Sequence, residues 1–276
     1  MPMSRTDFMA AASFEREGFG RTVQYTPPQA WDEPSRVPGW DSHDVLAHLH
    51  AQEIAAAALV GEEVAPELEE YRASSGGTLD VDGFNAFAVE RRKQTSTHQL
   101  AIEWGKAATL LLDRAAIASD QDWASHRIPW LGGDIPLRYL LQTRVVEWWI
   151  HGEDIRSGAD LDVRFVHNSI YLVNDLAVRM LPYALGLAGL VLPGLSVQVD
   201  LEGVGEGSWH FALAPGERPS SDKEPDAFIE GRGYRFALVA GRRDPAERYL
   251  EDGNLVVGGD EDLATAILEN LRAYPA

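Results

Sequence analysis

The chain has 276 residues, 45% of them hydrophobic, which is enough for one large or two medium domains with a sizeable core. Its formal net charge of −19 at pH 7 argues against nucleic-acid or anionic-membrane partners, because it would repel their phosphates. It has no cysteine, which excludes disulfides, a thiolate nucleophile and thiolate metal ligands, so any thiol chemistry needs a thiol from outside.

The N-terminal segment carries charges throughout and lacks the apolar core of a signal peptide. The longest apolar stretch, at 181–194, is too short and too rich in glycine and proline to span a membrane. We therefore expect a cytoplasmic protein without a membrane partner, and we take it to be a monomer.

Helical periodicity dominates the first two thirds of the chain. Asp41 or Ser42 caps the second helix, and Asp44 lies in its first turn, where the helix dipole favours a negative charge. Pro136 suits the start of a later helix that ends at Gly158. The predicted helices span 4–24, from the cap at Asp41 or Ser42 to 60, 83–118 with a break near Thr95–Thr97, 136–157 and 165–184. The predicted loops span 25–40, 70–83 and 119–134.

The pattern changes near 187–193, where we place a domain boundary. Residues 194–216 alternate around central glycines, which predicts a β-hairpin. A short strand, a short helix, a second short strand and a last helix capped by Asp260 follow. The sequence therefore predicts a helical domain over 1–187 and an α+β domain over 188–276.

A polar stripe runs along the helix that contains RVVEWWIHGEDIR. At about 100° per residue, four of its side chains share one side of the helix, namely Arg144, Glu147, His151 and Asp154. The rest of this helix is apolar, so we expect it to be buried with the stripe facing the protein interior. Glu147 and His151, four residues apart, either coordinate one metal ion together or hydrogen-bond to each other.

The second helix supplies a third candidate ligand. Its segment GWDSHDVLAHLHAQE holds three histidines, of which His48 lies on the apolar side. His43 and His50 point to the opposite side and are expected to be surface histidines. His48, Glu147 and His151 would form a set of two histidines and one carboxylate, and catalytic zinc sites commonly use three protein ligands and an open position.

Two segments resemble the mycothiol-dependent maleylpyruvate isomerase family of DinB-like, metal-dependent, thiol-using enzymes. These are VPGWDSHDVLAHL and, about a hundred residues later, RVVEWWIHGEDIRSG. The resemblance implies an α+β protein in which a DinB-like four-helix bundle and a fifth helix precede a C-terminal domain similar to sterol carrier protein 2. It carries the zinc ligands of the family over to His48, Glu147 and His151. The segment FALVAGR also resembles the segment in which the isomerase has a functional arginine. The resemblance assigns that role to Arg242.

The resemblance implies one zinc ion per chain and mycothiol as cosubstrate, with a small electrophile as substrate. In the isomerase, the thiol adds beside a cis double bond, the bond rotates, and elimination returns the trans isomer; in an S-transferase the thiol stays on the product. Two other functions stay open, namely a hydrolase in which the zinc activates water and a carrier of an apolar ligand with a structural metal. Three ligands favour catalysis, because structural zinc is usually closed by four.

Three further residues complete the expected site. We expect Arg144, as a catalytic residue, and Asp154, as a residue of the cofactor site, to orient Glu147 or an approaching ligand. Arg242 either caps a short helix or, if the two domains pack with Arg242 over the metal, holds the substrate as a catalytic cation.

Overall fold

The computed structural model describes residues 3–131 and 133–274. The packing of its elements divides the chain after Arg164 into unit 1, up to Arg164, and unit 2, from Phe165. This division lies earlier in the chain than the expected boundary near 187–193. The reason is that the two helices that follow Arg164 pack against the C-terminal strands and helices.

Unit 1 is built around four long helices. They are α1 (Arg5–Tyr25), α2 (Ser42–Val60), α5 (Thr97–Ile117) and α7 (Leu137–Gly158). Helices α1 and α2 each contact both α5 and α7, which closes a four-helix bundle. Oxygen-bearing side chains cap three of them at their first turns: Ser4 for α1, Asp41 for α2 and Ser96 for α5. The expected bundle is therefore present in unit 1.

Shorter elements of unit 1 replace two predicted loops. They are a 3₁₀ turn (Pro28–Trp31), α3 (Pro66–Ser74), α4 (Val81–Arg92), α6 (Asp120–Ser125), β1 (Arg127–Trp130) and β2 (Gly133–Pro136). The loop predicted at 70–83 was wrong over the end of α3 and the start of α4, and the loop predicted at 119–134 contains α6 and an antiparallel hairpin. Strand β1 has four residues, of which Ile128 and Trp130 are buried. Two alternating apolar residues are too few to predict a strand from sequence.

Helix α7 is buried on nearly all sides, as its composition predicts. Trp148 and Trp149 are among the largest fully buried side chains of the chain. All tryptophans except Trp209 lie in unit 1. Most polar side chains in the middle of α7, among them Arg144 and Asp154, consequently face other protein groups rather than water.

Unit 2 combines helices with a four-stranded sheet, which confirms the predicted mixed fold class. Its elements are α8 (His167–Arg179), α9 (Leu181–Leu187), β3 (Ser196–Glu202), β4 (Gly207–Ala212), β5 (Ala227–Arg232), α10 (Gly233–Ala240), α11 (Ala246–Glu251), β6 (Leu255–Gly259) and α12 (Glu261–Asn270). The strand order is β4-β3-β5-β6, with β3 and β5 parallel and the other pairs antiparallel.

Two details of unit 2 differ from or extend the prediction. The helix expected over 165–184 is divided into α8 and α9, and Pro182 lies in the first turn of α9, where a missing N–H is tolerated. Gly231 in β5 has φ +149 and lies so close to β6 that an added Cβ would collide with the Asn254 carbonyl oxygen. Among the described residues, no helix combines the length and the apolar composition that crossing a bilayer requires.

Candidate metal centre

The structure brings together His48 from α2 with Glu147 and His151 from α7. Glu147 Oε2 lies 3.1 Å from His48 Nε2 and 3.1 Å from His151 Nε2. One ligand atom of each residue lies within 4.8 Å of the other two. The packing of α2 on α7 thus makes one cluster from residues far apart in the chain.

The spacing of these donor atoms fits a small divalent cation. Zinc binds histidine nitrogen and carboxylate oxygen at about 2.1 Å, so neighbouring ligands of a tetrahedral site lie about 3.4 Å apart. The two 3.1 Å separations are close to that value. His151 Nδ1 donates to Asp154 Oδ2 at 2.9 Å, which leaves Nε2 facing the cluster. His48 lacks such support, because its Nδ1 is buried without a hydrogen-bond partner among the described residues.

The protonation states of the cluster follow from burial and from its hydrogen bonds. Burial raises the pKa of Glu147, but hydrogen bonds from His151 and His48 outweigh it and hold that pKa well below its ordinary value. Burial lowers the pKa of His48. For His151, burial also lowers the pKa, but hydrogen bonds to Asp154 and Glu147 raise it above its ordinary value. Glu147 is therefore a carboxylate at neutral pH, as a metal ligand must be.

Asp154 supports a different residue from the one expected. It is completely buried and accepts the His151 Nδ1 hydrogen bond, whereas the sequence suggested that it orients Glu147 or a ligand. A carboxylate in this position fixes the tautomer and orientation of a metal-binding histidine. The three-residue spacing of His151 and Asp154 on one helix face was the signal for this pair.

Arg144 lies between two carboxylates. Its Nη2 is 3.9 Å from Glu147 Oε1, and its Nη1 is 3.6 Å from Glu53 Oε1. Its guanidinium carbon lies 5.2 Å from the centre of the Trp130 ring. Arg144 is thus shared between Glu53 and Glu147 instead of serving Glu147 alone.

Sequence reasoning missed Glu53. This α2 residue is completely buried, and its Oε1 accepts a 2.8 Å hydrogen bond from Trp148 Nε1. Burial raises its pKa to about 7, although Arg144 and the Trp148 bond act in the opposite direction. The available signal was an acidic residue in the otherwise apolar half of α2, next to a run of alanines.

Aromatic rings surround the histidines. The Trp40 ring, half-buried, is centred 5.3 Å from the His48 ring. The His48 and His151 rings meet edge to face at 5.0 Å. The His48 ring therefore packs between the Trp40 and His151 rings.

The other histidines of α2 do not join the cluster. His50 was expected at the surface, but it is only 5% exposed because α4 and α5 pack on that side of α2. Its Nδ1 accepts from Arg92 Nε at 2.6 Å, and its Nε2 lies 3.1 Å from Glu103 Oε2. His43 is half-buried and donates from Nε2 to the Thr95 carbonyl at 2.8 Å.

A second group of potential ligands is Asp41, His43 and Asp44. It does not resemble an open site, because Lys93 Nζ donates to both oxygens of Asp44, at 2.6 and 2.8 Å. Asp41 serves as the N-cap of α2 by accepting from the Asp44 backbone N–H.

In unit 2, Arg242 follows the end of α10 rather than lying within it. It is exposed, has φ +56, and donates from Nη1 to the Glu269 carbonyl oxygen at 3.0 Å. The described contacts of Arg242 thus tie the turn after α10 to the end of α12.

Comparisons with known proteins agree with this arrangement. Residues 13–156 match the family model of the mycothiol maleylpyruvate isomerase N-terminal domain. The uncharacterised proteins MT0041 and Rv0036c, from two strains of Mycobacterium tuberculosis, are each 23% identical over 247 residues, which cover 88% of this chain and 92% of theirs.

Two crystal structures of mycothiol-dependent maleylpyruvate isomerase share the fold. One, a mutant with a histidine replaced by alanine, superposes with a TM-score of 0.61 at 15% identity, covering 94% of this chain and 95% of that one. The other gives a TM-score of 0.59 at 16% identity, covering 87% and 90%.

Proposed function

The chain belongs to the family of the mycothiol maleylpyruvate isomerase N-terminal domain, and from that premise we propose that it is a metal-dependent enzyme that adds mycothiol to a small electrophile. The observation that carries the proposal is the buried cluster of His48, Glu147 and His151, which lies inside the matched segment. A chain without cysteine must take its thiol from a cosubstrate.

His48, Glu147 and His151 would hold one divalent ion, for which zinc is the expected species. When bound, such an ion lowers the pKa of a coordinated thiol as it does that of coordinated water. Glu147 contributes a carboxylate that is ionised at neutral pH, and Asp154 holds His151 with Nε2 towards the cluster. Imidazole and carboxylate also suit nickel, cobalt or iron. The proposal therefore specifies the three ligands, and the metal analysis identifies the element.

Two reactions fit an added thiol, and the family name favours the first. In isomerisation, the thiol sulfur bonds to a carbon of a cis double bond, the resulting single bond rotates, and elimination releases the same thiol with the trans product. In S-transfer, the carbon–sulfur bond remains in the product. Within either reaction we assign to Arg242 the task of holding a substrate carboxylate and stabilising the enolate-like charge that develops on addition.

The test combines metal content with thiol-dependent turnover. The metal-loaded protein is incubated with mycothiol and a panel of electrophiles that includes maleylpyruvate, while thiol consumption and isomerisation are followed. We expect about one divalent ion per chain and turnover only with thiol. His151→Ala should lose both, because it removes one of three ligands, whereas substitution of the exposed His98 by alanine should retain both.

Other outcomes would support the alternative functions. Full turnover of an electrophile without thiol would indicate a hydrolase that uses the same ion to activate water. Stoichiometric binding of an apolar ligand without turnover under either condition would indicate a carrier. Equal metal content in the wild type and in His151→Ala would exclude the proposed site.

A further inference from the structure

Arg144 is held by carboxylates from two different helices. Glu147 lies three residues away on α7, and Glu53 approaches from α2. Arg144 and Glu53 are 2% and 0% exposed, so solvent screens neither charge. The contact distances of 3.6 and 3.9 Å leave the guanidinium between its two partners rather than in a two-pronged pair with either.

Glu53 is itself fixed in place. Its Oε1 accepts the Trp148 indole N–H at 2.8 Å, and Trp148 is completely buried beside Glu147 in the chain. Glu53 Oε2 is buried without a hydrogen-bond partner among the described residues. A buried carboxyl group with one oxygen left without a hydrogen bond is costly, and the nearby Arg144 guanidinium, 3.6 Å away, is the cation that offsets part of this cost.

We propose that Glu53 is a positioning residue of the metal centre, which acts by drawing Arg144 away from Glu147. An arginine and a carboxylate three residues apart on one helix face favour a bidentate ion pair, because the guanidinium fork matches both carboxylate oxygens. Such a pair would occupy Glu147 Oε2, the atom that both histidines approach. With Glu53 opposite, Arg144 contacts only Glu147 Oε1, and Oε2 stays directed at His48 and His151.

This inference rests on the proposed metal-dependent function, and metal affinity tests it directly. The isosteric Glu53→Gln removes the ionisable carboxyl group that faces Arg144 but keeps an oxygen for the Trp148 bond. We expect it to weaken zinc binding about tenfold in chelator competition, the range found for residues that support metal ligands. The Co²⁺ absorption spectrum should also change, because Glu147 would be displaced as a ligand. Glu53→Asp keeps the charge but shortens the side chain, so it should give a smaller loss.

A double-mutant cycle separates this role from a general effect of charge. In an Arg144→Met background, Glu53→Gln should change zinc affinity less than about twofold, because Arg144 is no longer present to close on Glu147. An undiminished effect in that background would overturn the inference, since Glu53 would then act on the ion without Arg144. Wild-type affinity in Glu53→Gln itself would overturn it equally.

The matched control is Glu15→Gln. Glu15 is also completely buried and also pairs with an arginine, Arg164, at 2.7 Å, and it is not one of the three residues of the cluster. We expect it to change thermal stability while leaving zinc affinity at the wild-type value. If the wild type binds no metal, the proposed function fails and this inference with it; if the wild type binds metal and Glu53→Gln matches Glu15→Gln, only the inference fails.

Discussion

Ionisable side chains on opposite faces of α2 occupy two separate environments. His48 and Glu53 contact Glu147 and Trp148 of α7, whereas His50 contacts Arg92 and Glu103 on the other side of α2. A single residue, Leu49, separates the two histidines in the chain. One helix therefore contributes to the candidate metal centre on one side and to an arginine–histidine–glutamate cluster on the other.

His50 gives unit 1 a dependence of stability on pH. Burial, followed by the nearby Arg92, lowers its pKa from 6.5 to about 4. Between these values the unfolded chain binds the proton at His50 and the folded chain does not, so the contribution of His50 to the free energy of unfolding rises with pH across this window and is lost as pH falls. We expect His50→Gln to reduce that rise, measured by urea unfolding of the metal-free protein at about pH 5 and about pH 7.5. An equal rise in both proteins would show that His50 does not titrate this way.

The helical wheel separated His48 from His50 correctly but misjudged the surroundings of His50. Periodicity reports which side of a helix a residue faces, and it reports nothing about a second layer that packs on that side. Here α4 and α5 cover it, and Arg92 at the end of α4 reaches His50. Glu53 was missed for a related reason, because a single acidic residue in an apolar helix has no periodic pattern to identify it.

At the scale of elements, the close approach of β5 and β6 makes one glycine indispensable. We expect Gly231→Ala to lower the free energy of unfolding by about 3 kcal/mol, since left-handed backbone strain and a collision with the Asn254 carbonyl oxygen add together. Gly189 also has positive φ but has open space around its Cα, so Gly189→Ala should cost about 1 kcal/mol. Thermal unfolding followed by circular dichroism compares the two, and equal losses would rule out the collision.

Long elements were predictable from sequence and short ones were not. Helices α1, α2, α5 and α7 combine several turns of apolar periodicity with an identifiable first turn, and the predicted bounds match the observed ones closely. Helix α6 has six residues and β1 has four, which is too few to establish a period. Both pack against α7, a tertiary contact that periodicity does not report.

At the scale of the whole molecule, the centre could be predicted only in part. Periodicity indicated which faces of α2 and α7 carry His48, Glu147 and His151, but it could not show that these faces meet. The resemblance to a known family supplied that pairing, across a separation of 99 residues between His48 and Glu147. Neither source indicated the link from Glu53 to Arg144, because it depends on side-chain geometry inside the bundle.

The acidity of the whole chain bears on the proposed role of Arg242. A net charge of −19 repels a substrate that carries carboxylates, so a local cation is needed to hold it. We expect Arg242→Ala to keep its metal and fold but lose most activity, with Arg242→Lys intermediate because lysine lacks bidentate binding. Arg248→Ala, an exposed arginine of the same unit, is the control. Full activity of Arg242→Ala would exclude this role.

The position of Trp40 against His48, with their ring centres 5.3 Å apart, provides an optical signal for the centre. Indole emission is quenched by a nearby ion with a partly filled d shell, such as Co²⁺ or Ni²⁺, but not by Zn²⁺, whose d shell is full. Because all tryptophans except Trp209 lie in unit 1, intrinsic fluorescence reports mainly on the bundle. We therefore expect titration with cobalt to decrease the tryptophan fluorescence of the unlabelled protein, and displacement of cobalt by zinc to restore it.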